Sequence, residues 1–409
     1  MDISPAALRK MQHAAEGDAD GVVDELGLLA LHSGYADKFF PGTSVLQTRA
    51  RYLFFVPWTY LALASTGRVS VGNVRAAKEA KELRITKLLK EAGAEGVIGG
   101  RVHPRSPAQP PDFAYWTALD RFGLYEGVGR SQLLSRWDRR RVVRREEIRV
   151  RDEEPKDAPL AIFDVPSPPD GWPDCIEARS FTLTKPEARR LRDALRFGGA
   201  TLMSTAADAL RAQTRPRAKG PPWEDPLLTS VAEDLGLAPT LERAGEAAYV
   251  AQIARAAYAA HVEELRETDL RSAKRELPEE YRFYREGLKA LYAGGVAFES
   301  AARLDLRVLA EDLHLPRGLK DLLVHLLAVV RRVRSAREAQ SLLLDGATRA
   351  VLTKAEMDRK GYARARLNPG LGRVRREGFD RRTLTVDPLH YRWNNARRFL
   401  LDLHAGLFQ

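Results

Sequence analysis

Cysteine is nearly absent from this chain. Cys175 is the only one among 409 residues, which excludes an internal disulfide framework and any zinc cluster built on cysteine. Long apolar runs are also missing. The longest, 53–64, has twelve residues and contains Pro57, against the roughly 20 that a membrane-spanning helix needs. The eight histidines include no His-x-x-x-His pair, so matched metal-ligand spacing is lacking. No Gly-x-Ser-x-Gly elbow occurs, which removes local support for a serine hydrolase of that kind. Gly96, Gly99 and Gly100 follow no strand pattern and precede no Gly-Lys-Ser/Thr, so a nucleotide-binding loop is unsupported. Met1-Asp-Ile-Ser-Pro lacks the basic start and apolar stretch of a secretory signal. These lacks together lead us to expect a soluble cytoplasmic protein with no membrane partner, no cofactor and no bound metal.

What the chain has in excess is positive charge. The formal net charge is +11 with 44% hydrophobic residues, an apolar fraction that suits globular domains and not disorder. The excess is segregated. The balance of Lys and Arg over Asp and Glu is +1 over 1–100, +6 over 101–220, −6 over 221–330 and +10 over 331–409. A clustered field attracts polyanions from a distance, whereas diffuse charge serves mainly solubility. One cluster comprises Arg136, Arg139, Arg140, Arg141, Arg144, Arg145, Arg149 and Arg151. The other comprises Arg359, Lys360, Arg364, Arg366, Arg373, Arg375, Arg376, Arg381 and Arg382. Arginine suits paired contacts to phosphate oxygens. In the first cluster Asp138, Glu146 and Glu147 offer internal neutralisation.

Helical patterning dominates, and the expected fold class is mainly α and multi-domain. Pro5–Ala15 reads as a helix capped by Ser4, and Val22–Leu31 as a second. After the Pro41-Gly42 turn, Thr43 or Ser44 is placed to cap an apolar helix that Pro57 should kink or divide. Arg49 and Arg51 interrupt its apolar surface, and Gln47, Thr48, Arg49 and Arg51 could line a pocket but suit partly buried structural hydrogen bonds better. A charged amphipathic helix follows over 73–92, then a Gly- and Pro-rich loop over 95–113. Residues 112–138 read as a helix ending at Gly123, a short turn, and a second helix through Leu133, Leu134 and Trp137 that runs into the arginines. That order resembles a helix-turn-helix as well as any helical hairpin.

The Pro-rich, acidic stretch 152–180 marks a boundary, and Thr184 with Glu187 forms a capping box beyond it. A second Pro-rich break lies at 214–223. Then come an Ala-rich helix over 241–265, an apolar helix over 319–333, a Gly- and Pro-broken basic loop or arm over 361–388, and a closing amphipathic helix. We therefore expect domains at 1–151, 152–235 and 236–409. His261 with Glu264 is an isolated i, i+3 pair without a second copy. Asp164, Asp170, Asp174 and Glu177 near Arg179 loosely echo a magnesium-nuclease signature, but Asp174 and Glu177 stand too close together for its usual strand topology.

Several blocks resemble one bacterial family of unknown function: DELG at 24–27, FPGTSVLQTRARYLFFVPW at 40–58, EGVIG at 95–99, YW at 115–116 and YRW at 391–393. Where an arginine is expected just after EGVIG, this chain has Gly100 followed by Arg101. The resemblance implies a place in genomic defence islands beside helicases and nucleases of anti-phage systems, and carries no catalytic residues. Charge and resemblance together give the expected function: a non-enzymatic DNA-binding subunit of a multi-protein defence system, contacting mainly phosphates and acting with helicase or nuclease partners. The alternatives are a protein–protein scaffold of the same system and a metal-dependent nuclease.

Overall fold

The computed structural model describes residues 24–65, 71–137, 142–150 and 159–408. Among them are eighteen α-helices and one three-stranded sheet, so the fold is mainly α. The chain forms two compact units, and each is discontinuous in sequence. One comprises Asp37–Gly220, Asp225–Leu235 and Arg392–Gln409; the other comprises Met1–Ala36, Pro221–Glu224 and Gly236–Tyr391. The Pro-rich break at 214–223 falls where the chain changes unit, whereas the stretch 159–180 lies inside the first. The Pro5–Ala15 helix lies outside the described residues. Of the helix expected over 22–31, residues 22 and 23 lie outside the described residues and 24–28 are not helical; the first described helix is Leu29–Phe39.

The first unit is built around the helix Tyr52–Ser65. It runs through Pro57 without a break and buries eleven of its fourteen residues, so packing on all sides offsets the one backbone bond that proline cannot make. Thr43 and Ser44 do not cap it. Residues 44–51 form turns instead, and Asn395 Nδ2 takes the carbonyl of Gln47 at 2.6 Å and that of Val45 at 3.3 Å. Those oxygens are thus engaged by a side chain and not by the N–H groups a helix would supply. Gln47 Nε2 reaches the carbonyls of Gly42 and Ala114, and Thr48 Oγ1 donates to the carbonyl of Gly96. Arg49 grips both oxygens of Asp402 at 2.8–3.1 Å. Arg51 is 2% exposed; it forks onto Glu187 at 3.0 and 3.1 Å and donates to the carbonyls of Glu177 and Ser180 at 2.8 Å. The block that carries the family resemblance is thereby consumed in structural hydrogen bonds.

The helix Pro111–Arg121 forms as its sequence suggests, but the hairpin after it does not. A strand, β1 (Tyr125–Gly127), follows the turn, and the next helix, Arg130–Ser135, has only six residues, with Leu133 and Leu134 buried. The arginine segment supplies β2 (Val142–Arg144), parallel to β3 (Ala161–Phe163), while β1 pairs with β3 antiparallel. The β-branched pair Val142-Val143 suits this pleated, half-buried site. At Gly127 (φ 147°) a Cβ would stand 2.2 Å from the Leu160 carbonyl oxygen, so only glycine lets the strands approach here. Among the described residues of 112–138, β1 stands between the two helices, so the order is not that of a helix-turn-helix. The capping box at Thr184 and Glu187 is present at the start of the helix Lys185–Leu195.

The second unit is organised by the helix Ala238–Ser272, whose 35 residues include a buried run of small side chains from Ala244 to Ala260. Small residues let the helices Phe283–Ala293 and Val296–Arg303 lie close against it. The helix Arg317–Arg332 buries Leu319, Leu322, Leu323, Leu326, Leu327 and Val330 on one face, the stripe expected of a core-facing helix. His261 is fully buried; its Nδ1 accepts from Arg349 Nε at 3.2 Å, which makes the pair with Glu264 part of an arginine network.

Candidate nucleic-acid interface

The basic stretch 361–382 is irregular because Gly361, Pro369, Gly370, Gly372 and Gly378 break it, yet it is closely tied to its own unit. Two buried groups hold it. Glu356, at 0% exposure, sits near the end of the helix Gly346–Lys360. It accepts from the Tyr258 hydroxyl at 2.6 Å and from the backbone N–H groups of Arg366 and Leu367 at 2.9 and 2.8 Å. Arg376, at 1% exposure, sits in the one-turn helix Arg373–Arg376. It pairs with Asp269 at 2.7 Å and donates to the carbonyls of Arg366, Asn368 and Pro369. Gly372 allows this closure. A Cβ there would lie 2.4–2.7 Å from the carbonyl oxygens of Asn368, Arg366 and Ala365. Asn368 Oδ1 closes the turn by accepting from the N–H groups of Gly370 and Leu371 at 3.1 Å.

This frame sorts the cations that the sequence grouped together. Arg376 is a structural residue and is removed from any set that touches a surface partner, because its side chain is buried and makes four hydrogen bonds inside. Arg359 pairs with Asp24 at 2.9 Å, Lys360 with Glu25 and with Glu356, and Arg366 with Glu25. Arg381 pairs with Glu280 at 2.6 Å but stays half exposed. Arg364, Arg373, Arg375 and Arg382 are exposed, and among the described residues none of the four side chains makes an ion pair. Arg382 lines an open cleft of about 260 Å³ together with Glu267, Tyr281, Asp380 and Arg381.

The arginines of the other unit are arranged differently. Arg136 is exposed. Arg144 pairs with Glu147 at 3.3 Å and with Glu146 at 3.8 Å, the internal neutralisation that the sequence offered. Arg145 bridges Glu126 on β1 and Asp164 just past β3, at 3.1 and 3.0 Å, and so clamps the sheet. Arg139, Arg140, Arg141 and Arg151, and the side chain of Arg149, lie outside the described residues.

Of the four nuclease candidates, Asp164 is also paired with Arg190 at 3.1 Å and Asp174 with Arg84. Among the described residues no group of three or more His, Cys, Asp or Glu stands where it could hold a metal ion. Burial and the neighbouring Glu177 raise the Cys175 thiol above its usual range, the opposite of what a nucleophile needs.

One buried charged cluster escaped the sequence reading. Asp112 accepts from Tyr60 at 2.9 Å and pairs with Lys78 at 3.0 Å and Arg130 at 3.1 Å. Burial opposes its ionisation, but Lys78 and Arg130 outweigh burial and hold its carboxyl below the usual range. The adjoining Glu82 is pushed up to about 7 by burial and by Asp112. The cavity beside it measures about 10 Å³, room for about one water and no substrate. Only the aspartate after Pro110-Pro111, at a helix start, signalled this cluster in sequence. Among the described residues no helix is long and apolar enough to cross a membrane.

No curated protein and no solved structure matches the chain. Residues 2–276 match DUF6361, a family of unknown function, and the chain belongs to that family.

Proposed function

We propose that this protein binds nucleic acid, DNA in the first place, as a non-enzymatic subunit of a multi-protein bacterial anti-phage system. The observation that carries the reading is the sorting of one basic stretch into buried anchors and exposed, unneutralised cations. Arg376 and Glu356 hold the loop, while Arg364, Arg373, Arg375 and Arg382 face solvent. A rigidly mounted set of arginines suits phosphate oxygens, and contacts of this kind position a protein without reading sequence. The defence setting and the helicase or nuclease partners rest on the resemblance described above.

The test is fluorescence anisotropy with labelled double- and single-stranded DNA over rising salt. Each phosphate neutralised contributes about −0.9 to the slope of log K against log salt on duplex DNA, so four exposed arginines predict a slope of about −3.6. The triple variant Arg364→Glu, Arg373→Glu, Arg375→Glu should bind more weakly and flatten the slope by about 3. Failure of the native protein to bind either form at low salt would overturn the reading.

A further inference from the structure

Ten large apolar side chains are exposed among the described residues, and three of them fall in the thirteen residues from Tyr362 to Val374. Tyr362 is 64% exposed, Leu371 55% and Val374 74%. Isolated exposed apolar residues are ordinary, but these three stand inside the most basic part of the chain. Leu371 and Val374 are three apart, and the backbone between them is helical. Gly372 has αR dihedrals, and the N–H groups of Gly372 and Arg376 donate to the carbonyls of Asn368 and Gly372. A spacing of three on one helical turn puts the two side chains side by side. Arg373 and Arg375 interleave with them.

From this we infer that Leu371 and Val374 form an apolar wedge that enters a base step of double-stranded DNA from the minor groove, with Arg364, Arg373 and Arg375 on the flanking phosphates. The inference rests on the nucleic-acid reading above and adds to it the form of the ligand and the mode of contact. Charge complementarity selects a polyanion as the occupant. Opening a base step costs a few kcal/mol and bends the duplex, and an apolar tip with cations on either side is the arrangement that offsets that cost. Rigidity matters as well, since a mobile tip would lose side-chain and backbone freedom on insertion. Here the turn is held by the buried Arg376 and closed by Asn368. Duplex DNA is favoured over an anionic bilayer because two short side chains suffice to open one step, while stable membrane anchoring requires far more buried apolar surface.

Energy transfer between dyes at the two ends of a 25-base-pair duplex reads bending, and anisotropy on the same duplex reads affinity. The native protein should bind and shorten the end-to-end distance, more on a duplex with a central TA step than on a stiff A-tract. Leu371→Ser with Val374→Ser should lose about tenfold in affinity and the whole energy-transfer change, with the salt slope retained, since phosphate contacts are untouched. Both positions are exposed, so an unaltered melting temperature will show that folding is intact. A double variant that binds and bends like the native protein overturns the wedge alone. So does a native protein that binds with a steep salt slope but never bends the duplex. Partition of the native protein, but not the double variant, onto phosphatidylserine vesicles while duplex binding stays the same in both would assign the tip to a lipid surface instead. Absence of any duplex binding at low salt overturns the wedge together with the function it rests on.

Discussion

Arg51 and Arg376 are enclosed by carboxylate and carbonyl oxygens at 2% and 1% exposure, while Arg373 and Arg375, in the same one-turn helix as Arg376, face water. Residue type is identical; the number of acceptors within reach is what differs. Removing Arg51 would strand the Glu187 carboxylate in an aromatic core, where Arg51 also lies over Phe55 and Trp58. His261 shows the same dependence of chemistry on surroundings. Burial, and then the guanidinium of Arg349, push its imidazole down to about 4. A histidine whose folded pKa lies below its unfolded value contributes stability that is complete above pH 6.5 and is lost as the pH falls to 4. The shift amounts to about 3 kcal/mol over that window. Urea denaturation at pH 7.5 and 4.5 should show a steeper loss in the native protein than in His261→Gln, by about 2–3 kcal/mol. Equal losses would mean that the imidazole titrates in the fold as it does in the unfolded chain.

Elements repeat the lesson at larger size. The stretch 361–388 has the composition of a free arm and the structure of a packed loop, with Ala365, Leu367, Phe379 and Leu384 buried. Glycines and prolines, legible in sequence, show that it is not a helix; that it folds back is decided by Glu356 in the helix just before it and by Asp269, far away along the chain. Arg376→Ala should therefore release the loop although it touches no ligand. We expect a loss of about 3 kcal/mol, the usual cost of breaking a buried ion pair, together with new tryptic cleavage between 364 and 382. A variant with native stability and an unchanged digest would show that the loop is held some other way. The segment 112–138 followed its pattern only in part. The first helix and a short second one over Leu133 and Leu134 form, but β1 stands between them, because it pairs with residues 161–163 across a Pro-rich stretch that local pattern marks as a boundary. By contrast, the capping box at Thr184 and Glu187 uses only neighbours three apart, and local pattern placed it correctly.

Across the whole molecule, neither unit is a continuous stretch of chain. In the first unit the C-terminal helix Trp393–Phe408 packs on the helix Lys185–Leu195. There Gly406 comes so close that a Cβ would meet Leu183 and Ala188 at 2.8–2.9 Å. Cleavage within 214–220 should then leave both fragments in one peak on native gel filtration, separating only in denaturant. Separation of the fragments without denaturant would show that the helix docking does not hold. What the amino-acid sequence determined by itself was everything that local composition controls. It determined the helical class, the capping box at Thr184 and Glu187, the lack of metal and nucleophile spacings, and the uneven placement of the +11 net charge. The tertiary structure alone decided which arginines face solvent and which are internal struts. That choice depends on carboxylates and carbonyls tens to hundreds of residues away, such as Asp269 for Arg376 and Glu25 for Arg366. A cation's charge is encoded at its own position; its neutralisation is encoded wherever the fold brings the opposite charge.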